Sequence, residues 1–203
     1  VLLRQKKEIN LKLKLLIKSA LYGIKMTRPK SINYFTRFNL KINKKDNLEI
    51  YSVRKITNSF TSFNNKQVYF LGSSVVELNI MTEKNYIMYL ERVVILNKGK
   101  KLTYFKHRKE GFAKLEKIKN IGFIIKDIKT TYENYYNLND SQAGIICSFF
   151  TTSVLMNISN NFVNIPELVI YAFPLYKLTK ERKVFTIILQ TLKEDKNISI
   201  INI

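Results

Sequence analysis

The chain has 203 residues, 46% of them hydrophobic and 12% aromatic, a content that excludes global disorder and suffices for one ordinary core plus an appendage. Its 35 Lys+Arg against 15 Asp+Glu give a formal charge of +20, so a polyanion, nucleic acid first, is the default partner. One cysteine, Cys147, and one histidine, His107, exclude an internal disulfide framework and the usual zinc clusters.

From Lys7 to Lys25 the residues Ile9, Leu13, Leu16, Ile17, Ala20, Leu21 and Ile24 fall on one helical face, which predicts an amphipathic helix. Its charge comes from Lys rather than Arg, so it reads as a docking helix and not a targeting presequence. Pro29 stops it. Between Ser31 and Phe70 the phrases FTRFNLKI and LEIYSVRKI alternate apolar with polar like half-exposed strands, separated by turn material. Residues 1–74 are therefore expected to be a basic extension that orders against partners.

Beyond residue 75 the text grows more apolar. VVELNIMTEKNYIMYL predicts a helix with a connecting segment, and ERVVIL a buried strand. After the NKGKK turn, FKHRKEGFAKLEKIKN predicts a basic helix, GFIIKDI a second strand, YENYYNLND a polar aromatic loop and AGIICSFF a third strand. Val154, Ile158, Phe162 and Ile165 recur at helical spacing up to Pro166, followed by LVIYAFPLY and a last strand, KVFTIILQTL. This order predicts an α+β domain over 75–203, a largely antiparallel sheet with helices packed on one face. The most apolar segment, Ala143 to Ile158, is short for a membrane span and rich in Ser and Thr, so it reads as core, with no membrane span expected.

Several phrases share an order with one known family. Met81, Thr82, Glu83, Asn85 and Tyr86 are followed by Glu91, Leu96, Asn97 and Gly99, then FAKLEKIKNIGFIIKDIK, AGIIC and Asn164 to Leu168. Over residues 75–203 the chain resembles the bacterial-type large-subunit ribosomal protein L five. The resemblance implies the α+β fold and a non-enzymatic, cofactor-free scaffold on ribosomal RNA in the central protuberance. It places that scaffold near the peptidyl-site transfer RNA and against small-subunit protein S thirteen. The chain departs from the family where Cys147 to Thr152 lack charge and where a Gly-Arg-Gly-Asn-Tyr stretch is shortened around Leu168 to Lys177. Those losses, with a Lys-, Asn-, Ile- and Tyr-rich composition typical of AT-rich genes, suit an organelle-encoded protein of a mitochondrial ribosome.

Two groups of residues follow as candidate contacts. Asn97, Lys98, Gly99, Lys100 and Lys101, with Lys106 and Arg108, offer phosphate-pairing cations, an amide for a 2′-hydroxyl or base edge, and a glycine for close approach. Their bland alternative is a solvated turn. Lys126, Lys129, Tyr132 and Tyr135 lie in the loop that the resemblance points toward transfer RNA, offering phosphate pairing and base stacking; the alternative is a tyrosine-rich loop packed on protein. His107, between Lys106 and Arg108, has no nucleophile or carboxylate at a recognisable spacing, and its cationic neighbours oppose protonation. Cys147 reads as a small core residue. No phosphate-loop, dinucleotide, zinc-protease or paired-carboxylate phrase calls for an enzyme. An accessory subunit of a mitochondrial respiratory or ATP-synthase complex is the alternative function.

Overall fold

The computed structural model describes residues 31, 33–36, 44–50, 62–138 and 142–203. The amphipathic helix expected at Lys7 to Lys25 lies outside the described residues. The chain divides into two compact units, Val1–Val53 and Arg54–Ile203. In the first, β1 (Asn33–Thr36) pairs in parallel with β2 (Asn47–Ile50), and the Asn47 side-chain amide donates to the Asn33 side-chain oxygen at 2.8 Å.

The second unit is built on six strands: β3 (Phe63–Leu71), β4 (Lys101–Phe105), β5 (Ile124–Lys126), β6 (Gln142–Ser148), β7 (Glu167–Ala172) and β8 (Ile198–Asn202). They lie in the order β5-β4-β3-β6-β7-β8, and every pairing is parallel. Five helices join them: α1 (Glu83–Leu96), α2 (Phe112–Asn120), α3 (Tyr132–Leu138), α4 (Thr152–Asn161) and α5 (Arg182–Lys193). This is an α/β fold, which corrects the expected α+β plan with its largely antiparallel sheet. The physical reason is connectivity. A helix stands between each pair of consecutive strands, and a helical crossover returns the chain to start the next strand in the same direction.

The correction traces to three segments. The apolar run Val93 to Leu96 is not a strand but the last turn of α1, where Val93 is buried while Ile95 and Leu96 stand 72% and 56% exposed. KVFTIILQTL is helical too, within α5, its Val184 and Ile187 exposed. YENYYNL forms α3 rather than a loop. Conversely, Lys101–Phe105 and Ile198–Asn202 are strands. The central strand, β3, comes from within the segment assigned to the basic extension, so the α/β body starts ahead of Val75.

Alternation along β3 divides the core into two layers. Val68 and Phe70 meet Tyr86, Tyr89, Leu90 and Val93 of α1 and Leu115 and Ile118 of α2. Tyr69 and Leu71 belong with Tyr132 and Tyr136 of α3 and Leu155 and Ile158 of α4 on the other face. Helices on both faces explain why β6 is buried along its whole length and reads QAGIICS with no exposed position. Thr82 caps α1 by accepting from the Asn85 N–H, and Gly99, at φ +85°, makes the turn from α1 into β4.

A chain cut to begin at Arg54 should retain cooperative thermal unfolding, whereas one cut to begin at Val75 loses the central strand and should not fold. Far-UV circular dichroism with a melt checks this; cooperative unfolding of the shorter piece would contradict the assignment of β3.

Candidate anion-binding cleft

In an open parallel sheet the two strands flanking a reversal of strand order send their following helices to opposite faces, leaving a crevice at their C-terminal ends. Here the reversal falls between β3 and β6, since α1 covers one face and α4 the other. A cleft of about 730 Å³ opens there, along the C-terminal ends of β3, β4 and β5 and the start of α4. Lys106, His107, Arg108 and Lys129 line it, with Asp127, Thr151 and Ser153.

The β6–α4 side is fixed by hydroxyls. Ser148 donates to the Leu71 carbonyl at 3.0 Å and accepts from the N–H groups of Phe150 and Thr151 at 3.2 and 2.8 Å. Thr151, the residue ahead of α4, donates its hydroxyl to the Gly72 carbonyl at 2.8 Å and makes no side-chain cap on the helix. Thr151, with Ser153 and Val154 of the first turn of this ten-residue helix, lines the cleft, so the positive helix end borders it; the Thr152 N–H is taken by the Phe150 carbonyl at 2.8 Å, and no acidic residue lies in that turn.

The β4–α2 side is fixed by a buried carboxylate. Glu110, 6% exposed as a residue, accepts through one oxygen from the Tyr104 hydroxyl at 2.6 Å and pairs with the Lys114 ammonium at 2.7 Å. Its other oxygen accepts from the His107 backbone N–H at 2.6 Å. Lys114, itself 3% exposed, also pairs with Glu77 at 3.2 Å, donates to the Ser73 carbonyl at 3.2 Å and lies over the Tyr86 ring. Burial first, then Tyr86 and Glu110, push the Tyr104 hydroxyl well above its ordinary range, so it remains a donor. Lys106, next to this loop, pairs with Asp127 at 2.6 Å.

The carboxylate also fills the first turn of the fold. A methyl group at Gly72 would lie 2.6 Å from Glu110 Oε2 and 2.7 Å from the Tyr104 hydroxyl, so only glycine fits and the space above it is taken. In an ordinary dinucleotide-binding domain the pyrophosphate approaches at that turn. Here the room for an anion lies on the α4 side.

The predicted contacts separate. Asn97, Lys98, Gly99 and Lys100 sit ahead of β4 and Lys101 opens it, while Lys106 and Arg108 follow it at the opposite end of the strand. Asn97 is 3% exposed; its amide donates to the Val93 carbonyl and to the Tyr171 hydroxyl at 2.9 and 2.8 Å, so the turn presents Lys98 and Lys101 instead. Of the second group, only Lys129 is exposed in the cleft. Tyr132 is buried against Phe105, which closes it to a base; Tyr135, half-buried, lies tilted beside Phe105 and accepts from Lys126 at 2.5 Å, with the Lys126 ammonium over its ring. Cys147 is buried in β6, and burial pushes its thiol up. His107 has its protonation depressed, as its cationic neighbours suggest, but burial is the larger cause.

Glu110, Thr151 and Ser153 were not legible as site residues. Glu110 stands in a run of cations, and Thr151 meets Gly72 only through a contact 79 positions apart. The signal that was present is the seryl-threonyl phrase Thr151 to Ser153, shortly after a fully buried strand, where a strand hands over to a helix. No family model matches the chain, and no curated protein matches it significantly.

Nuclear magnetic resonance of the single histidine should give a midpoint below the ordinary 6.5. Because the fold favours the neutral ring, this contribution to stability is complete above pH 6.5 and is lost as pH falls through the lower folded midpoint. His107→Gln should flatten that part of the stability profile; an unchanged slope would show that another group titrates there.

Proposed function

We propose that the second unit binds a nucleotide-type ligand through its phosphates, in the cleft at the C-terminal ends of β3 and β6. The observation that carries the reading is coincidence. The large basic cleft lies where the strand order reverses, and the open N-terminus of α4 faces the same space. Arg108 and Lys129 supply charge to the phosphate, Lys106 and His107 frame it, and the hydroxyl of Ser153 adds a neutral donor.

Such a site suits group transfer from a phosphate-activated donor. When the bond from the transferred group to the phosphate oxygen breaks, the electron pair stays on that oxygen, and the fixed cations and N–H groups stabilise the developing charge. The acceptor's lone pair forms the new bond to the transferred group as the old one breaks, and its proton passes to a carboxylate; Glu133 lines the cleft for this, while Asp127 is held by Lys106 at 2.6 Å.

A second proposal is the mitochondrial ribosomal scaffold on ribosomal RNA. The charge of +20 and the exposed Lys98 and Lys101 favour it. It has lost two supports: the antiparallel fold that the resemblance implied, and Asn97 as an RNA contact.

Calorimetric titration of the full chain with nucleoside mono- and diphosphates of the four common bases separates the two. The cleft reading expects at least one to bind, and Arg108→Ala to weaken it by about tenfold, the size of one charge-assisted hydrogen bond. If none binds, while a structured ribosomal RNA fragment binds with a salt slope reduced by neutralising Lys98, Lys100 and Lys101, the scaffold reading replaces it.

A further inference from the structure

The buried pair of Glu110 and Lys114 is more than the fold requires. Two charges withdrawn from water cost several kcal/mol each before their attraction is counted, and a packed apolar pair often stabilises a fold as well or better. What an apolar pair cannot do is accept hydrogen bonds. Glu110 accepts from three directions at once, taking the Tyr104 hydroxyl and the Lys114 ammonium from the layer beneath the sheet and the His107 N–H from the loop above.

That last bond pins the backbone midway along the short segment from Lys106 to Lys109, of which Lys106, His107 and Arg108 line the cleft. The segment has further ties: the Lys106 N–H donates to the Lys126 carbonyl at 3.0 Å, and the Glu110 N–H to the His107 carbonyl at 2.9 Å. The carboxylate joins the middle of the segment to the buried Tyr104 and Lys114 groups. Gly72, whose missing side chain leaves room for it, lets that carboxylate sit at the end of the central strand.

We infer that Glu110 is a positioning residue, which acts through the His107 backbone to hold the Lys106–Arg108 wall in register with the N-terminus of α4. Lys114, 2.7 Å from the carboxylate, orients it. The inference rests on the phosphate-binding reading of the cleft and adds to it a residue that never touches the ligand.

The test uses the full chain, inorganic pyrophosphate as probe, and the ring signals of His107, the chain's single histidine. Glu110→Met/Lys114→Met removes both charges and the acceptor of the His107 N–H at nearly constant volume, so no lone buried charge is left. It should keep a cooperative melt, bind pyrophosphate about tenfold more weakly, and show a smaller His107 ring response on binding. A double variant that binds like the unmutated chain, with the full ring response, overturns the role of Glu110 alone. Failure of the unmutated chain to bind pyrophosphate contradicts the cleft reading itself and the inference with it. A readout independent of any variant is hydrogen exchange in the unmutated chain. The His107 amide should be protected like the amides of α2, and rapid exchange there overturns the proposal even if the double variant does not fold.

Discussion

Parallel pairing of β3 with β6 is the constraint from which the rest of this molecule follows. Each strand must be followed by a crossover, and with α1 packed on one face and α4 on the other, neither helix covers the strand ends between them. A crevice at that edge is thus a consequence of topology, before any side chain is chosen. What the side chains decide is its character. Ser148 and Thr151 tie the β6 end to the carbonyls of Leu71 and Gly72, so the two lips of the crevice are joined at its floor.

The polar groups beneath the cleft are laid out in the same spirit. Tyr86, Tyr104, Glu110 and Lys114 form one buried chain of contacts, with Tyr86 and Tyr104 hydroxyls 2.8 Å apart and the ammonium shared by Glu77. Buried networks of this kind are favourable only when every member is satisfied, and truncating one partner strands the others, at about 3–5 kcal/mol for a buried ion pair. The aromatic packing around it, Phe70 stacked on Tyr104 and edge-on to Phe123 and Phe149, supplies the apolar wall that makes those polar contacts selective in geometry.

The sequence disclosed its elements unevenly, for reasons that the structure makes plain. β6 and α4 were legible because burial follows their periodicity: Gln142 to Ser148 are buried throughout, and Leu155 and Ile158 repeat on one face. Val93 to Leu96 misled because a helix end that exposes Ile95 and Leu96 prints the same letters as a buried strand. Lys101–Phe105 was missed because its strand is short, its lysine reading as part of the turn and its Phe105 as the start of the helix. β3 was hidden by its exposed first half, Asn64 to Lys66, which reads as turn material. Two such exchanges of helix for strand were enough to turn an alternating α/β pattern into an apparent α+β one. For the cleft, the basic residues were visible but not their placement. Lys106 and Arg108 read as continuous with Asn97 to Lys101, until β4 set the two groups at opposite ends of the sheet. Glu110 was invisible as a partner of His107 because a carboxylate among cations normally signals a solvated face.

The most direct measurement of the central claim is a crystal structure of the full chain grown with a nucleoside diphosphate. The account predicts phosphate density within hydrogen-bond distance of the first-turn N–H groups of α4, at Ser153 and Val154, and flanked by Arg108 and Lys129. Phosphate bound instead at the Lys98–Lys101 turn, or a cleft left empty while the nucleotide occupies another surface, would contradict it.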